Sequence, residues 1–234
     1  MRVLFLLLAT ALAATSAAAA PNGTIVAFGD SITKGMVPTP WPDVLRQRLQ
    51  AHFPKARVTI VNAGIGGNQL LGSAPYLPAG TARFARDALG PKDVRIVILL
   101  EGINDIGGFD IAQAKGGPDA AKRDLAAEII EGYRSLIAQA HARGVKIYGG
   151  TLTPFEGTGL PGYYSATGEA VRQRVNQWIR TAGAFDAVID FDAALRDPKN
   201  PARLRPEYDL GDHLHPSPAG EAAMAEAIDL SILE

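Results

Sequence analysis

Short, almost wholly apolar runs alternate along the chain with longer segments in which apolar residues recur at helical spacing. The apolar runs predict five strands: Thr24–Phe28, Val58–Asn62, Val94–Leu100, Val145–Gly149 and Ala187–Phe191. The segments of helical period predict five helices: Pro42–His52, Thr81–Leu89, Ala120–Arg143, Gly168–Ala182 and Ser217–Leu230. Because strands that are apolar on both faces alternate with helices, we expect an α/β fold with a parallel sheet covered on both sides.

Four connections are longer than a compact α/β unit needs: Gly66–Gly80, Asn104–Pro118, Leu152–Tyr164 and Asp192–Gly211. The first three directly follow predicted strands. Ligands of open parallel sheets bind beyond the carboxyl ends of the strands, so these loops are expected to form a site. No repeat or linker divides the sequence, which predicts a single domain over residues 21–234.

The N-terminus has the layout of a secretory signal peptide. Arg2 precedes the apolar run Val3–Leu12, and small residues follow up to Ala20, just before Pro21. We therefore expect residues 1–20 to be cleaved after Ala20 and the mature protein to be secreted or periplasmic. An uncleaved anchor or a buried first helix is the alternative. No later run approaches about 18 consecutive apolar residues, so no stable membrane anchor is expected after cleavage.

Composition and charge exclude several classes of function. The net charge is −1, from 23 basic and 24 acidic residues, so there is no basic field to hold nucleic acid. The chain has no cysteine, which excludes thiol catalysis, thiolate metal ligands and disulfides.

The segment Phe28–Thr33 holds a candidate nucleophile at the end of the first predicted strand. Ser31 follows Gly29 and Asp30, and a tight turn there would direct its hydroxyl into the crevice. Asp and Ser are also good residues for capping a helix N-terminus. The segment by itself is equally consistent with a nucleophile and with a cap.

A serine needs a neighbouring base, and His215 is the strongest candidate. Asp212 lies three residues before it, a spacing that lets the carboxylate fold back and bond the imidazole. His52 and His141 fall near the ends of predicted helices, where solvent-facing or capping roles are more common. The alternatives for residues 212–215 are a surface turn and a metal site, although His213 and His215 lack an obvious third ligand.

Two further segments could stabilise an oxyanion. Gly67, after the second strand, could present its backbone N–H, and Asn104, after the third, could donate its side-chain amide. Each is individually more typical of a plain turn, and Glu101 and Asp105 are interpreted as turn caps or salt-bridge partners. Because all these strands should end at one edge of the sheet, the candidates together indicate one site with Ser31.

These residues resemble the GDSL, or SGNH, hydrolase family. Gly29-Asp30-Ser31 is similar to its first motif, Gly102-Ile103-Asn104-Asp105 to its third, and Asp212-His213-Leu214-His215 to its last. Gly67 falls at the glycine of the second motif, where Gly66 is the alternative. The order of the motifs along the chain matches the family.

The resemblance implies a three-layer α/β/α, flavodoxin-like fold with a five-stranded parallel sheet, and ester hydrolysis with no metal and no cofactor. It implies that Ser31 attacks, that His215 transfers the proton and that Asp212 orients His215. The backbone N–H groups of Ser31 and Gly67 and the amide of Asn104 would form the oxyanion hole.

Leu99–Gly107 and Ala82–Asp87 are similar to a subgroup that includes xylanase-associated esterases, which implies acyl or acetyl esters of plant polysaccharide as substrates. A lysophospholipase or thioesterase of the same family is the alternative. Its long acyl chain would need an apolar channel, and side chains in the long loops could line one, pack their loops or stack on sugars: Phe109, Phe155, Leu160, Tyr163 and Tyr164. A non-catalytic binding module is less favoured, because the set of candidate groups is complete.

Overall fold

The computed structural model describes residues 21–73, 77–114 and 123–233, with the side chains of residues 109–114 outside the description. The predicted signal peptide, residues 1–20, lies outside the described part of the chain. In that part, no helix has both the length and the apolar character needed to cross a membrane.

The centre of the fold is a five-stranded parallel sheet. Its strands are β1 (Asn22–Gly29), β2 (Arg57–Gly64), β3 (Val94–Leu100), β4 (Lys146–Gly150) and β5 (Ala187–Ile189). Their spatial order is β2-β1-β3-β4-β5, and every pairing is parallel. This is the strand order of flavodoxin-like folds, which confirms the predicted fold class.

Among the described residues, eight α-helices accompany the sheet: α1 (Ser31–Lys34), α2 (Trp41–His52), α3 (Gly80–Asp87), α4 (Ile103–Ala114), α5 (Leu125–His141), α6 (Ala166–Thr181), α7 (Phe191–Leu195) and α8 (Pro218–Glu226). Short 3₁₀ helices follow at Pro206–Tyr208 and Leu230–Leu233. Helices α2, α7 and α8 contact one another, and α3, α4, α5 and α6 form a second connected set. Two sets of helices are what a sheet covered on both faces requires.

Burial follows the strand order. The central strands β1 and β3 carry fully buried side chains such as Phe28, Val97 and Ile98. The edge strand β2 alternates between exposed and half-buried positions along its length. The apolar runs of the sequence therefore mark the middle of the sheet, and the carboxyl ends of β1 and β3 are fixed by the best packed part of the core.

The structure corrects the sequence-based prediction at three places. The expected loop Asn104–Pro118 begins with α4, and the expected loop Asp192–Gly211 contains α7 and a hairpin of β6 (Arg196–Asp197) and β7 (Asn200–Leu204). The fifth strand ends at Ile189, because Asp190 caps α7 by accepting from the N–H of Ala193. Residues that favour turns, such as Gly107 and Gly108 in α4, interrupt the helical pattern of the sequence, so the pattern does not predict these elements. They form because tertiary packing stabilises them.

Candidate active site

Ser31 lies where β1 passes into α1. Asp30, not Ser31, caps this short helix, because its Oδ1 accepts from the N–H of Ile32 at 2.9 Å. Gly29 has no room for a side chain, since an added Cβ would lie 2.2 Å from the carbonyl oxygen of Leu100. The hydroxyl of Ser31 is thus left available at a tight turn beside β3.

His215 joins Ser31 to Asp212. Its Nε2 lies 2.8 Å from Ser31 Oγ, and its Nδ1 lies 2.6 Å from Asp212 Oδ2. The imidazole ring is mostly buried and the carboxylate of Asp212 is half exposed. The three side chains therefore form one hydrogen-bonded chain, with the geometry in which a carboxylate orients a histidine and the histidine accepts a proton from a serine.

Asp212 is held as an anion by its hydrogen bonds. Burial acts to raise the pKa of its carboxyl, but the bonds from the His215 ring and from the backbone N–H groups of His215 and Leu214 outweigh it and lower the pKa. The backbone bonds measure 2.8 Å and 3.0 Å. A carboxylate that stays ionised keeps the proton of His215 on Nδ1 and leaves Nε2 free to accept.

The loop that carries Asp212 and His215 is closed by its own hydrogen bonds. Asp209 Oδ1 accepts from the N–H groups of Gly211 and His213, and its other oxygen bonds the His213 ring. The N–H of Leu210 donates to the carbonyl of His215 at 3.0 Å. Asp209 was not predicted from the sequence, although its spacing of four residues from His213 could have indicated the contact.

The predicted oxyanion donors lie beside β1, after the neighbouring strands. Gly67 follows β2 in a turn and has a φ of +73°, a conformation that favours glycine. The turn is tied to β1, because the N–H of Ile65 donates to the carbonyl of Gly29. Asn104, in the first turn of α4, donates from Nδ2 to the carbonyl of Asn68 at 2.9 Å. The positive φ does not decide between Gly66 and Gly67 as donor.

Arg83 connects the three strand ends beneath the site, and sequence reasoning missed it. Its guanidinium donates to the carbonyls of Gly29 and Ala63, both at 2.8 Å, and to Asn68 Oδ1. It also donates to Glu101 Oε2 at 3.2 Å, and the side chain is fully buried. A buried guanidinium with this many acceptors fixes the ends of β1, β2 and β3 relative to one another.

Three buried carboxyl groups surround this network. Burial is the main cause that raises the pKa of Asp30 to about 7 and that of Asp105 to about 6. Burial and the nearby Asp30 raise the pKa of Glu101 well above its usual value, against the opposing effect of Arg83. Asp105 accepts from the N–H groups of Leu70 and Leu71. The interpretation of Glu101 and Asp105 as a salt-bridge partner and a turn cap is confirmed.

Residues 21–73, 77–114 and 123–233 contain no group of three histidine or carboxylate side chains that could hold a metal ion. The His213 ring bonds Asp209, so the two histidines of this loop each face their own aspartate. The arrangement combines a candidate nucleophile, a candidate base and candidate hydrogen-bond donors, which are the parts that acyl transfer requires.

Comparison with solved structures finds the same fold. The acetylxylan esterase Axe2 from Geobacillus stearothermophilus is 23% identical with a TM-score of 0.63, over 90% of this chain and 94% of that one. LAE5, an alpha/beta hydrolase enzyme from the metagenome of Lake Arreo, is 22% identical with a TM-score of 0.64, over 90% and 94%. A GDSL-like lipase from Bacteroides thetaiotaomicron is 19% identical with a TM-score of 0.61, over 90% and 87%.

A search of curated proteins finds no match. The family description "GDSL-like Lipase/Acylhydrolase family" matches residues 27–223, a range that holds Ser31, Gly67, Asn104, Asp212 and His215. The match covers most of the chain and agrees with the resemblance of its motifs. The chain belongs to the GDSL-like lipase/acylhydrolase family and is a hydrolase that acts on ester bonds.

Proposed function

We propose that the protein is a serine esterase in which Ser31 forms an acyl-enzyme intermediate. The observation that carries this proposal is the position of His215, hydrogen-bonded to Ser31 Oγ on one side and to Asp212 on the other. Serine is a weak nucleophile until such a base accepts its proton.

The reaction then proceeds in two halves. Ser31 Oγ attacks the ester carbonyl while His215 Nε2 takes the hydroxyl proton, and the oxyanion is held by the N–H groups of Ser31 and Gly67 and by Asn104 Nδ2. His215 returns the proton to the leaving alcohol. Water, deprotonated by His215, then attacks the acyl carbon and releases the acid and Ser31. Asp212 stabilises the imidazolium in both halves, and no step calls for a metal or a cofactor.

We propose short acyl groups, acetyl above all, as the part of the substrate that Ser31 receives. Three of the residues that could have lined a long acyl channel are packed together: Phe155 and Tyr163 are buried, with ring centroids 6.1 Å apart, and Tyr164 packs on Phe155 at 5.0 Å. Side chains that fill a loop in this way leave it less room for a lipid chain. Leu160 is exposed, and the side chain of Phe109 lies outside the described residues. The fold shared with an acetylxylan esterase supports esters of carbohydrate as the substrates.

Substitution of the nucleophile tests the reaction. Ser31→Ala should lower kcat for p-nitrophenyl acetate by about 10⁴-fold or more, since the residue forms the covalent intermediate. The matched control is Ser135→Ala, at an exposed position of α5, which should keep full activity. Circular dichroism should show both variants folded. Activity retained by a folded Ser31→Ala protein would refute the proposal, and a binding module without catalysis would show no hydrolysis even in the wild type.

An ester series tests the acyl group. From p-nitrophenyl acetate to palmitate, kcat/KM should be highest at two to four carbons, and acetate should be released from acetylated xylan. Each buried methylene contributes about 0.8 kcal/mol to binding where an apolar channel exists. A rate that keeps rising beyond about eight carbons would therefore overturn the acetyl-ester proposal in favour of a lysophospholipase or thioesterase.

We also propose that the protein is exported, because residues 1–20 have the composition of a cleaved signal peptide. After expression of the whole chain in a bacterial host, the periplasmic or secreted protein should begin at Pro21. Mass spectrometry of the intact protein measures this, and a full-length mass from a cytoplasmic fraction would contradict the proposal.

A further inference from the structure

We propose that Tyr163 is a positioning residue that fixes the side-chain amide of Asn104 as an oxyanion donor, an inference that rests on the proposed function. The Tyr163 hydroxyl donates to Asn104 Oδ1 at 2.7 Å. On the other side, Asn104 Nδ2 donates to the backbone carbonyl of Asn68 at 2.9 Å. The amide is thus held at both of its ends.

The two contacts permit one orientation of the amide. The carbonyl of Asn68 can only accept, so it requires the NH₂ end of Asn104, and the phenol of Tyr163 then donates to the oxygen end. A flipped amide would place Oδ1 of Asn104 against the Asn68 carbonyl. The second N–H of Nδ2 makes no hydrogen bond to the described residues and remains for the oxyanion.

Packing holds the Tyr163 ring in the position that this bond needs. The ring lies directly on Gly107, where an added Cβ would be 2.2 Å from it. Gly107 is three residues after Asn104 in α4, so both residues present the same face of the helix to the ring. Phe155 contacts the ring edge to face, and Tyr163 is only 5% exposed.

The phenol of Tyr163 keeps its proton, and so remains a donor, at neutral pH. Burial, together with the negative charge of Asp30, Asp105 and Glu101, raises the pKa of Tyr163 well above its usual value. An amide fixed in advance costs no reorientation when charge develops on the substrate oxygen. The bond should therefore stabilise the transition state more than the bound ester.

The test is a double-mutant cycle of Tyr163→Phe and Asn104→Ala with p-nitrophenyl acetate as substrate. Tyr163→Phe keeps the ring against Gly107 and Phe155, so the fold should persist, which thermal unfolding checks. We expect kcat to fall about tenfold, equivalent to about 1.4 kcal/mol of barrier, with KM changed less than about twofold. In the Asn104→Ala background the same change should lower kcat less than about twofold, because the donor that it positions is gone.

The matched control is Tyr164→Phe. Tyr164 packs on the same Phe155, and its hydroxyl has no hydrogen-bond partner in the described part of the chain, so kcat should not change. Equal losses from Tyr163→Phe in both backgrounds, or no loss in the wild-type background, would overturn the inference. Ser31→Ala measured alongside separates this failure from that of the proposed function, since it reports on the nucleophile alone.

Discussion

The two sides of the candidate active site are stabilised in different ways. The proposed base, His215, lies in the loop formed by residues 208–217, here called the base loop, which is partly exposed and closed by bonds between near neighbours. The proposed nucleophile and oxyanion donors lie at the ends of β1, β2 and β3, here called the strand edge, where buried Arg83 bonds residues far apart in sequence. Substitutions in the base loop should lower kcat more than stability. Substitutions at the strand edge should lower the free energy of unfolding most.

Between the two sides of the site, the largest effect on kcat is expected from a substitution that changes the chemistry of the base loop and leaves the fold intact. Asp212→Asn keeps an oxygen for the backbone N–H groups of Leu214 and His215 but presents an NH₂ group to the His215 ring. The proton of His215 then moves to Nε2, which can no longer accept from Ser31. We expect kcat to fall by about 10³- to 10⁴-fold with the free energy of unfolding changed by less than about 1 kcal/mol.

Steady-state kinetics and urea unfolding measure the two quantities for Asp212→Asn. Asp209→Asn is its control, because Asp209 pairs with the other histidine of the base loop. It should lower kcat by less than about tenfold, as a change of loop geometry alone would. Equal losses of kcat in both variants would mean that Asp212 only shapes the loop.

A smaller but still large effect is expected at the strand edge, where stability should respond first. Arg83→Met fills the same space but leaves the carbonyls of Gly29 and Ala63 and the side chains of Asn68 and Glu101 without their donor. Removing one partner of a buried charged network costs about 3 to 5 kcal/mol. Urea unfolding should show this loss of stability.

Arg86→Met is the matched control for Arg83→Met, since Arg86 lies in the same helix with its side chain 71% exposed. It should change the free energy of unfolding by less than about 0.5 kcal/mol. If Arg83→Met were as stable as Arg86→Met, the long-range hydrogen bonds of Arg83 would not be what stabilises the strand edge.

The smallest expected effect is a change in how the stability of the protein depends on pH, and it comes from Asp30. Asp30 has a folded-state pKa of about 7, and its Oδ2 is buried without a partner among the described residues. The folded chain therefore keeps a proton that the unfolded chain releases near pH 4, so this group makes the protein less stable as pH rises from about 4 to 7. Asp30→Asn still accepts from Ile32 but lacks this pH dependence. Its free energy of unfolding should rise relative to the wild type by about 3 kcal/mol between pH 4.5 and pH 7.5, since pH 4.5 lies about 2.5 units below the folded-state pKa of about 7 and one unit equals about 1.4 kcal/mol.

Urea unfolding at pH 4.5 and pH 7.5 measures this difference. Asp124 provides the comparison, because it also caps a helix but is exposed, and the hydrogen bond from Arg174 lowers its pKa. Its contribution is lost only as pH falls below about 4, towards its lowered pKa, so it is present at both pH values. Asp124→Asn should therefore differ from the wild type by nearly the same amount at pH 4.5 and at pH 7.5. Parallel trends in the two variants would refute the assignment of a proton to Asp30.

The sequence predicted what depends on local pattern. The bounds of β3 were predicted without error. Ser31, Gly67 and Asn104 were assigned to one site because parallel strands end at one edge. Asp212 was paired with His215 because it lies three residues before that histidine. Arg83 could not be found in this way. It lies in the same short helix as Arg86, and the local sequence does not distinguish a buried guanidinium from an exposed one.

Tyr163 illustrates the same limit for the oxyanion side. An aromatic residue in a long loop is consistent with packing, with a substrate channel or with a hydrogen-bonded role, and its partner Asn104 lies 59 residues away. Helix α4, which presents Asn104 and Gly107 to the ring, was itself expected to be a loop. Contacts of this kind depend on how elements pack, so they become visible only with the fold.

The bond between Ser31 and His215 joins residues 184 positions apart. The proposed nucleophile is therefore synthesised long before its proposed base, and a chain that stops short of residue 212 lacks both His215 and the aspartate that orients it. Under the proposed function, ester turnover would report that the base loop has reached a strand end formed much earlier in translation.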